Sequence, residues 1–247
     1  MRNSRRLLVA LAASLAVVFG AGEAVAQAQP DKAHLTSSPV SHPTPRPPHP
    51  PSCPATGSGS RTDRPPVPLE PYYKGDWRLG PAKLPTRGLV GDLLRNYKRT
   101  DEMSSDMFLG CYWDPTANNN QGGWRYPPND GFAGTPVTVT LSTGQFIDRF
   151  GPTTGRFLAP FGVIYSRRAI PPSNLDTFTR RFPNGYYVFK VLKDFQVDSG
   201  PAAPWFGQPG GGLQYRLNDV YFPGQLVPPQ HADTQWLVDN GYLEIVN

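Results

Sequence analysis

Glutamate is nearly missing from the C-terminal half of the chain: beyond residue 102 only Glu244 remains. A glycosidase that works with paired carboxylates would have to rely on aspartates alone. The Glu-x-Glu pair used by one class of ADP-ribosyltransferases is absent. Histidine is as scarce. His34, His42 and His49 fall within the first fifty residues, which leaves His231 for the rest. One histidine cannot build a multi-histidine metal centre. There is no G-x-S-x-G turn, and no histidine adjoins Cys111. Ser-His-Asp and Cys-His hydrolysis are therefore poorly supported. The glycine triplet Gly210–Gly212 is not followed by Lys-Ser or Lys-Thr, so it is no P-loop, and its spacing is no dinucleotide fingerprint.

Long apolar runs are also missing, with one exception at the start. "MRNSRR" is a basic opening, "LLVALAASLAVVFG" an apolar stretch and "AVA" before Gln27 a small-residue cleavage signal. Together they predict a secretory signal peptide over residues 1–26, cut after Ala26. Fourteen apolar residues are too few to span a bilayer comfortably, so no membrane span is expected. The cut leaves 21 basic and 18 acidic side chains, a net charge of +3. That is too mild and scattered for nucleic acid, and it suits a small anion met by a few placed arginines. No partner protein is identifiable from the sequence.

Residues 27–68 read as a disordered linker. Eleven prolines between Pro39 and Pro68, mixed with serine, threonine, arginine and glycine, cannot bury enough apolar surface to fold. Export permits a disulfide, and an even count of two cysteines, Cys53 and Cys111, fits one bridge. It would stabilise the fold by about 3–4 kcal/mol and pin the linker to the body.

Residues 69–134 read as a small helical and turn-rich extension. Leu89, Leu93, Leu94 and Tyr97 fall at helical spacing. The segment 108–132 looks like an aromatic connector made of successive turns. The extension has the makings of a thumb or a homodimer contact. From residue 135 onward strand signals dominate. Val137, Val139 and Leu141 alternate along "TPVTVTLS". "YYVFKVLKDFQV" predicts one longer strand, "NLDTFTRRF" a short helix capped by Ser173 or Asn174, and "TQWLVDNGYLEIV" a helical turn, a stop at Gly241 and a final strand. The expected fold is a compact α+β domain, mostly β.

The chemistry present is arginine beside aromatics. "GQFIDRFGPTTGRFLAP" sets Arg149, Phe150, Arg156 and Phe157 close together, and "YSRRAIPP" adds Arg167 and Arg168. The planar fork of arginine matches phosphate, and phenylalanine can stack on a flat or cationic ring. The pattern suits a dinucleotide, although arginine in β-rich domains is commonly a surface pair and phenylalanine commonly core.

Five blocks, "IDRFG", "GRFLAP", "RAIPP", "VDSGPAAPWFGQPGGGLQY" and "GYLEIV", resemble the TNT domain, the family named after the tuberculosis necrotizing toxin. The order and spacing of the blocks are kept across residues 135–247. Upstream, "GGWRYPPNDGF" with its preceding cysteines and leader is similar to secreted TNT-type enzymes of fungal surfaces. The resemblance implies hydrolysis of NAD+, and usually NADP+, to nicotinamide and ADP-ribose, with no cofactor required. It implies that Arg149 holds the pyrophosphate, with Phe150 beside it, and that Arg168 makes a further phosphate or ribose contact. Phe157 stands where some relatives have tyrosine, so its implied role is stacking on nicotinamide. Gln214, delivered by the glycine hairpin, would sit at the nicotinamide ribose, with Trp205 and Phe206 bracing the hairpin. Some fungal relatives carry calcium near the C-terminus. Asp233 and Asp239 lie there, in a motif too loose to make them ligands. Transfer or cyclisation of ADP-ribose in the same pocket, or a non-catalytic binding module, are the alternatives.

Overall fold

The computed structural model describes Cys53 and residues 71–176 and 181–247. The leader, and the linker except for Cys53, lie outside the described residues, as do residues 177–180 in the middle of the helix expected over "NLDTFTRRF". Its first residues instead close a 3-10 turn, Pro172–Leu175. Among the described residues no helix is long and apolar enough to cross a membrane.

The extension supplies helices α1 (Gly88–Leu93) and α2 (Ser105–Tyr112), a two-stranded ribbon of β1 (Trp113–Asp114) with β2 (Gly123–Trp124), and between them the single turn α3 (Ala117–Asn120). α2 begins where Ser104 accepts a hydrogen bond from the Met107 amide at 3.2 Å, an N-cap that satisfies one of the open amides of the first turn. Part of the segment read as a turn-rich connector is thus helical. The expected α1 pattern is half-kept: Leu93 and Leu94 are buried and Leu89 is exposed.

The remaining strands form one antiparallel seven-stranded sheet. They are β3 (Val137–Leu141), β4 (Phe146–Phe150), β5 (Phe157–Pro160), β6 (Tyr186–Val191), β7 (Phe195–Pro201), β8 (Leu213–Arg216) and β9 (Leu243–Ile245). Their order across the sheet is β3-β7-β8-β5-β4-β6-β9. Two short helices join them, α4 (Tyr165–Arg168) and α5 (Thr234–Asp239). The fold is α+β and mostly β. One expectation is corrected: "YYVFKVLKDFQV" is two strands, β6 and β7, which are not neighbours in the sheet. The break falls at Lys193-Asp194, where the Asp194 carboxylate takes hydrogen bonds from the Thr143 amide and hydroxyl at 2.7 and 2.8 Å. That side-chain clamp turns the chain without glycine or proline.

One core joins Ile147, Leu158, Phe189, Val197 and Leu243 of the strands to Trp236 and Leu237 of α5. A second joins Phe108, Cys111 and Tyr112 of α2 to Trp205 and Phe206. A third joins Leu93 and Leu94 to Phe150, Tyr165 and Tyr186. The extension therefore packs into the same body as the sheet. The Cys53–Cys111 disulfide ties the linker to the second core.

Candidate active site

Strands β4, β5 and β8 are consecutive neighbours at the middle of the sheet, and each brings one expected residue: Arg149, Phe157 and Gln214. Their register sets Asp148 opposite Ala159 and Phe157 opposite Arg216. Helix α4 adds Arg168. All of these, with Phe150, line one cavity of about 530 Å³, within the size range usual for small-molecule sites.

The two arginines are held differently. Arg149 is only 9 % exposed. It donates from Nε to the Pro152 carbonyl at 2.7 Å and from Nη1 to the Phe157 carbonyl at 2.5 Å. Among the described residues no carboxylate lies within ion-pair distance of it. Burial pulls its guanidinium down to about 10, since desolvation disfavours the charged form, yet it remains a cation at neutral pH. Gly155 makes the arrangement possible: a Cβ there would fall 1.6 Å from Arg149 Nη2. Arg168, also buried, is neutralised by Asp148, with Nη1 to Oδ1 at 2.6 Å. Nε and Nη2 both donate to the Val163 carbonyl, at 2.8 and 2.6 Å. Asp148 is fully buried and also accepts from the Gly162 amide at 2.9 Å and the Tyr186 hydroxyl at 2.8 Å.

Phe150 is placed as a packing residue. It is 2 % exposed, wedged between Tyr165 and Tyr186, with the Arg168 guanidinium 5.1 Å from its ring centroid. Its contribution to the cleft is to carry Arg168 through a cation–π contact. Phe157, 37 % exposed, is the phenylalanine that offers a face to the cleft.

The glycine hairpin works through its backbone. Gly210 and Gly211 have φ of +62° and +78°, open to glycine at little cost. This conformation lets the Gly210 and Gly212 amides reach the Ser166 and Arg167 carbonyls of α4, at 3.3 and 2.9 Å. The hairpin is thereby stitched to the helix that carries Arg168. Trp205 and Phe206 are buried beneath it as expected. Gln214 follows on β8, and its amide donates from Nε2 to the Asp130 carbonyl at 3.3 Å.

Among the cavity residues not expected as site residues are Tyr126, Asp130, Thr154 and Asn174, the last read as a helix cap. The first two come from the extension, and the Asp148 support of Arg168 was missed as well. Asp148 directly precedes Arg149, and an acidic residue beside an arginine in an apolar strand was the available signal. Asp233 caps α5, accepting from the Trp236 amide at 2.7 Å, and Asp239 accepts from Gln235 at 2.8 Å. Among the described residues no three histidine, cysteine or acidic side chains converge as a metal site.

The chain is 39 % identical over 178 residues to the conidial surface nicotinamide adenine dinucleotide glycohydrolase nadA of Aspergillus fumigatus, covering 70 % of each chain. The family model for the tuberculosis necrotizing toxin matches residues 140–246. This chain belongs to the TNT family. Its fold is also similar to the tuberculosis necrotizing toxin solved in complex with its immunity factor, at a TM-score of 0.45 and 20 % identity, covering 57 % of this chain and 71 % of that one. The cavity of this TNT-family member extends beyond the stretch the family model matches, since Tyr126, Pro127, Asp130 and Gly131 lie before residue 140.

Proposed function

We propose that the chain is a NAD+ glycohydrolase, cleaving the bond between nicotinamide and ribose to give nicotinamide and ADP-ribose. The relative named as such an enzyme supports the reading, and Arg149 is the observation that carries it. A buried cation without a carboxylate partner is costly unless something anionic completes it, and the pyrophosphate of the dinucleotide is that group. Arg168 is already neutralised by Asp148. It lends shape and residual donors, here to a ribose or to one phosphate oxygen.

The bond that breaks asks little of an acid. Nicotinamide leaves as a neutral ring because its nitrogen takes the bonding pair. Water then closes on the anomeric carbon and releases its second proton to solvent. The site accelerates this by fixing the pyrophosphate at Arg149, by offering Phe157 to the pyridinium face, and by placing Gln214 at the ribose. No step calls for a cofactor. NADP+ fits the same reading by space alone: a second hollow of about 480 Å³ shares Thr154 and Arg156 with the first, which leaves room for a 2′-phosphate, while the Arg156 guanidinium is already paired with Asp219 at 2.8 Å. The leader and the surface location in the relative's name support secretion.

The test is to incubate purified mature protein with NAD+ and follow nicotinamide and ADP-ribose. Stoichiometric release of both is expected. Persisting NAD+ would make the domain a binding module, and cyclic ADP-ribose as the main product would make it a cyclase.

A further inference from the structure

Gln214 has an amide with two unlike ends, and the fold settles which end the cleft receives. Its neighbour across the cavity wall is the main-chain carbonyl of Asp130, 3.3 Å away. A carbonyl can only accept, so the atom facing it is the NH2 group, and Oε1 is left for the cavity.

The carbonyl is placed by an unusual piece of backbone. Asn129, Asp130 and Gly131 have φ of +56°, +49° and +77° in succession. Left-handed residues in a row are costly outside glycine, and they persist only where surrounding contacts over-determine them. Such contacts are present. Asn129 Nδ2 donates to the Phe132 and Gly134 carbonyls at 3.2 and 2.8 Å. The Gly131 carbonyl accepts from the Ala203 amide at 2.7 Å, and the Pro201 carbonyl accepts from the Ala133 amide at 2.9 Å. The Asp130 carboxylate meets Arg216 at 3.4 Å, and the same arginine bonds Asp198 at 3.1 Å. One side of the loop is thus tied to the end of β7 and the start of the glycine hairpin. The other side is tied through Trp205, whose Nε1 donates to the Arg125 carbonyl at 2.7 Å.

We propose that the loop 126–131 of the extension is a positioning element for Gln214. It holds the amide NH2 so that Oε1 acts as a hydrogen-bond acceptor toward the water that attacks the anomeric carbon. The proposal rests on the glycohydrolase reading and deepens it. The step balances simply. The C1′–nitrogen bond breaks with its pair going to nicotinamide. One water O–H points at Oε1 while the water oxygen bonds to C1′, and the surplus proton passes to solvent. The amide orients the water and takes no proton. Residues outside the stretch the family model matches are then part of the working site. The capacity to choose water over other nucleophiles resides in a loop that the catalytic strands do not carry.

The experiment uses the full mature chain with methanol as a competing nucleophile, and reads methyl ADP-riboside against ADP-ribose. Asn129→Ala removes two of the ties on the loop, and Gly131→Ala strains its left-handed turn. Both are expected to lower kcat by about tenfold, the worth of one neutral hydrogen bond, with KM for NAD+ within twofold. Both are expected to raise the share of the methyl product, because water loses its preferred seat. A purely structural loop would lower the melting temperature and leave that product ratio where it was. If either folded variant keeps both the wild-type ratio and the wild-type kcat, the positioning role is overturned. If the wild-type protein releases no nicotinamide, the underlying function fails first, which is a separate reading in the same assay.

Discussion

Two arginines stand within one cleft, and they teach opposite lessons. Arg168 has a buried carboxylate at 2.6 Å, a carbonyl that takes two of its donors and an aromatic ring beneath it. Arg149 has two carbonyls and no acid within ion-pair distance, with Asp233 acting on it only from further off. An arginine that is neutralised inside the protein is part of the scaffold first, since removing one partner of a buried pair leaves an uncompensated charge. An arginine held by carbonyls, with no carboxylate in contact, keeps most of its positive field, which an anionic substrate would feel. The sequence spacing alone gave both the same role, and burial and partners separate them.

That separation can be broken or sharpened by substitution. The largest effect is expected at Asp148→Ala, which strands the Arg168 charge. It should cost about 3–5 kcal/mol of folding stability, read by denaturant or thermal unfolding. The charge-matched double variant, Arg168→Met with Asp148→Leu, should recover much of that loss. Next comes Gln214→Ala, expected to cut kcat by about 100- to 1000-fold, the range for a placed polar group that acts at the transition state, with the melting temperature unchanged. Arg149→Ala follows. The loss of a charged hydrogen-bond donor is worth about 1.5–3 kcal/mol, so kcat/KM for NAD+ should drop by about 10- to 150-fold, mainly through KM. Gly155→Ala should give a weaker version of the same phenotype, because the new methyl displaces the guanidinium.

The smallest effect concerns pH. Burial raises the Asp176 carboxyl to about 7, above its value in the unfolded chain. The folded state then holds the proton more tightly, so this group favours folding below the carboxylate range and progressively less as pH rises toward 7. Asp176→Asn should flatten the decline in melting temperature between about pH 4 and 7. An unchanged slope would remove Asp176 from that account.

How much of this was legible beforehand depends on distance along the chain. β3 announces itself by alternation, and α5 with its stop at Gly241 and the final strand were readable from local signals, whereas β4, β5 and β8 were read only as motif blocks. The β6–β7 break was hidden because the apolar rhythm runs straight through Lys193-Asp194, and the clamp that turns the chain comes from Thr143, 51 residues away. The start of α2 was missed although Ser104 offered a cap. The cavity-lining residues Arg149, Phe157, Arg168 and Gln214 were named through motif blocks. What distinguishes them from one another was not: the Asp148–Arg168 pair and the Asp130–Gln214 contact span 20 and 84 positions. Local spacing carries no trace of either.

The difference between the two arginines is tested most directly by changing the substrate together with the side chain. Wild-type protein and Arg149→Ala are each given NAD+ and nicotinamide riboside, which keeps the scissile bond and lacks the pyrophosphate. The account predicts that the substitution lowers kcat/KM for NAD+ by at least about tenfold and leaves that for nicotinamide riboside unchanged. Equal losses on both substrates would show that Arg149 serves the fold or the ribose, and would contradict the assignment of the lone cation to the pyrophosphate.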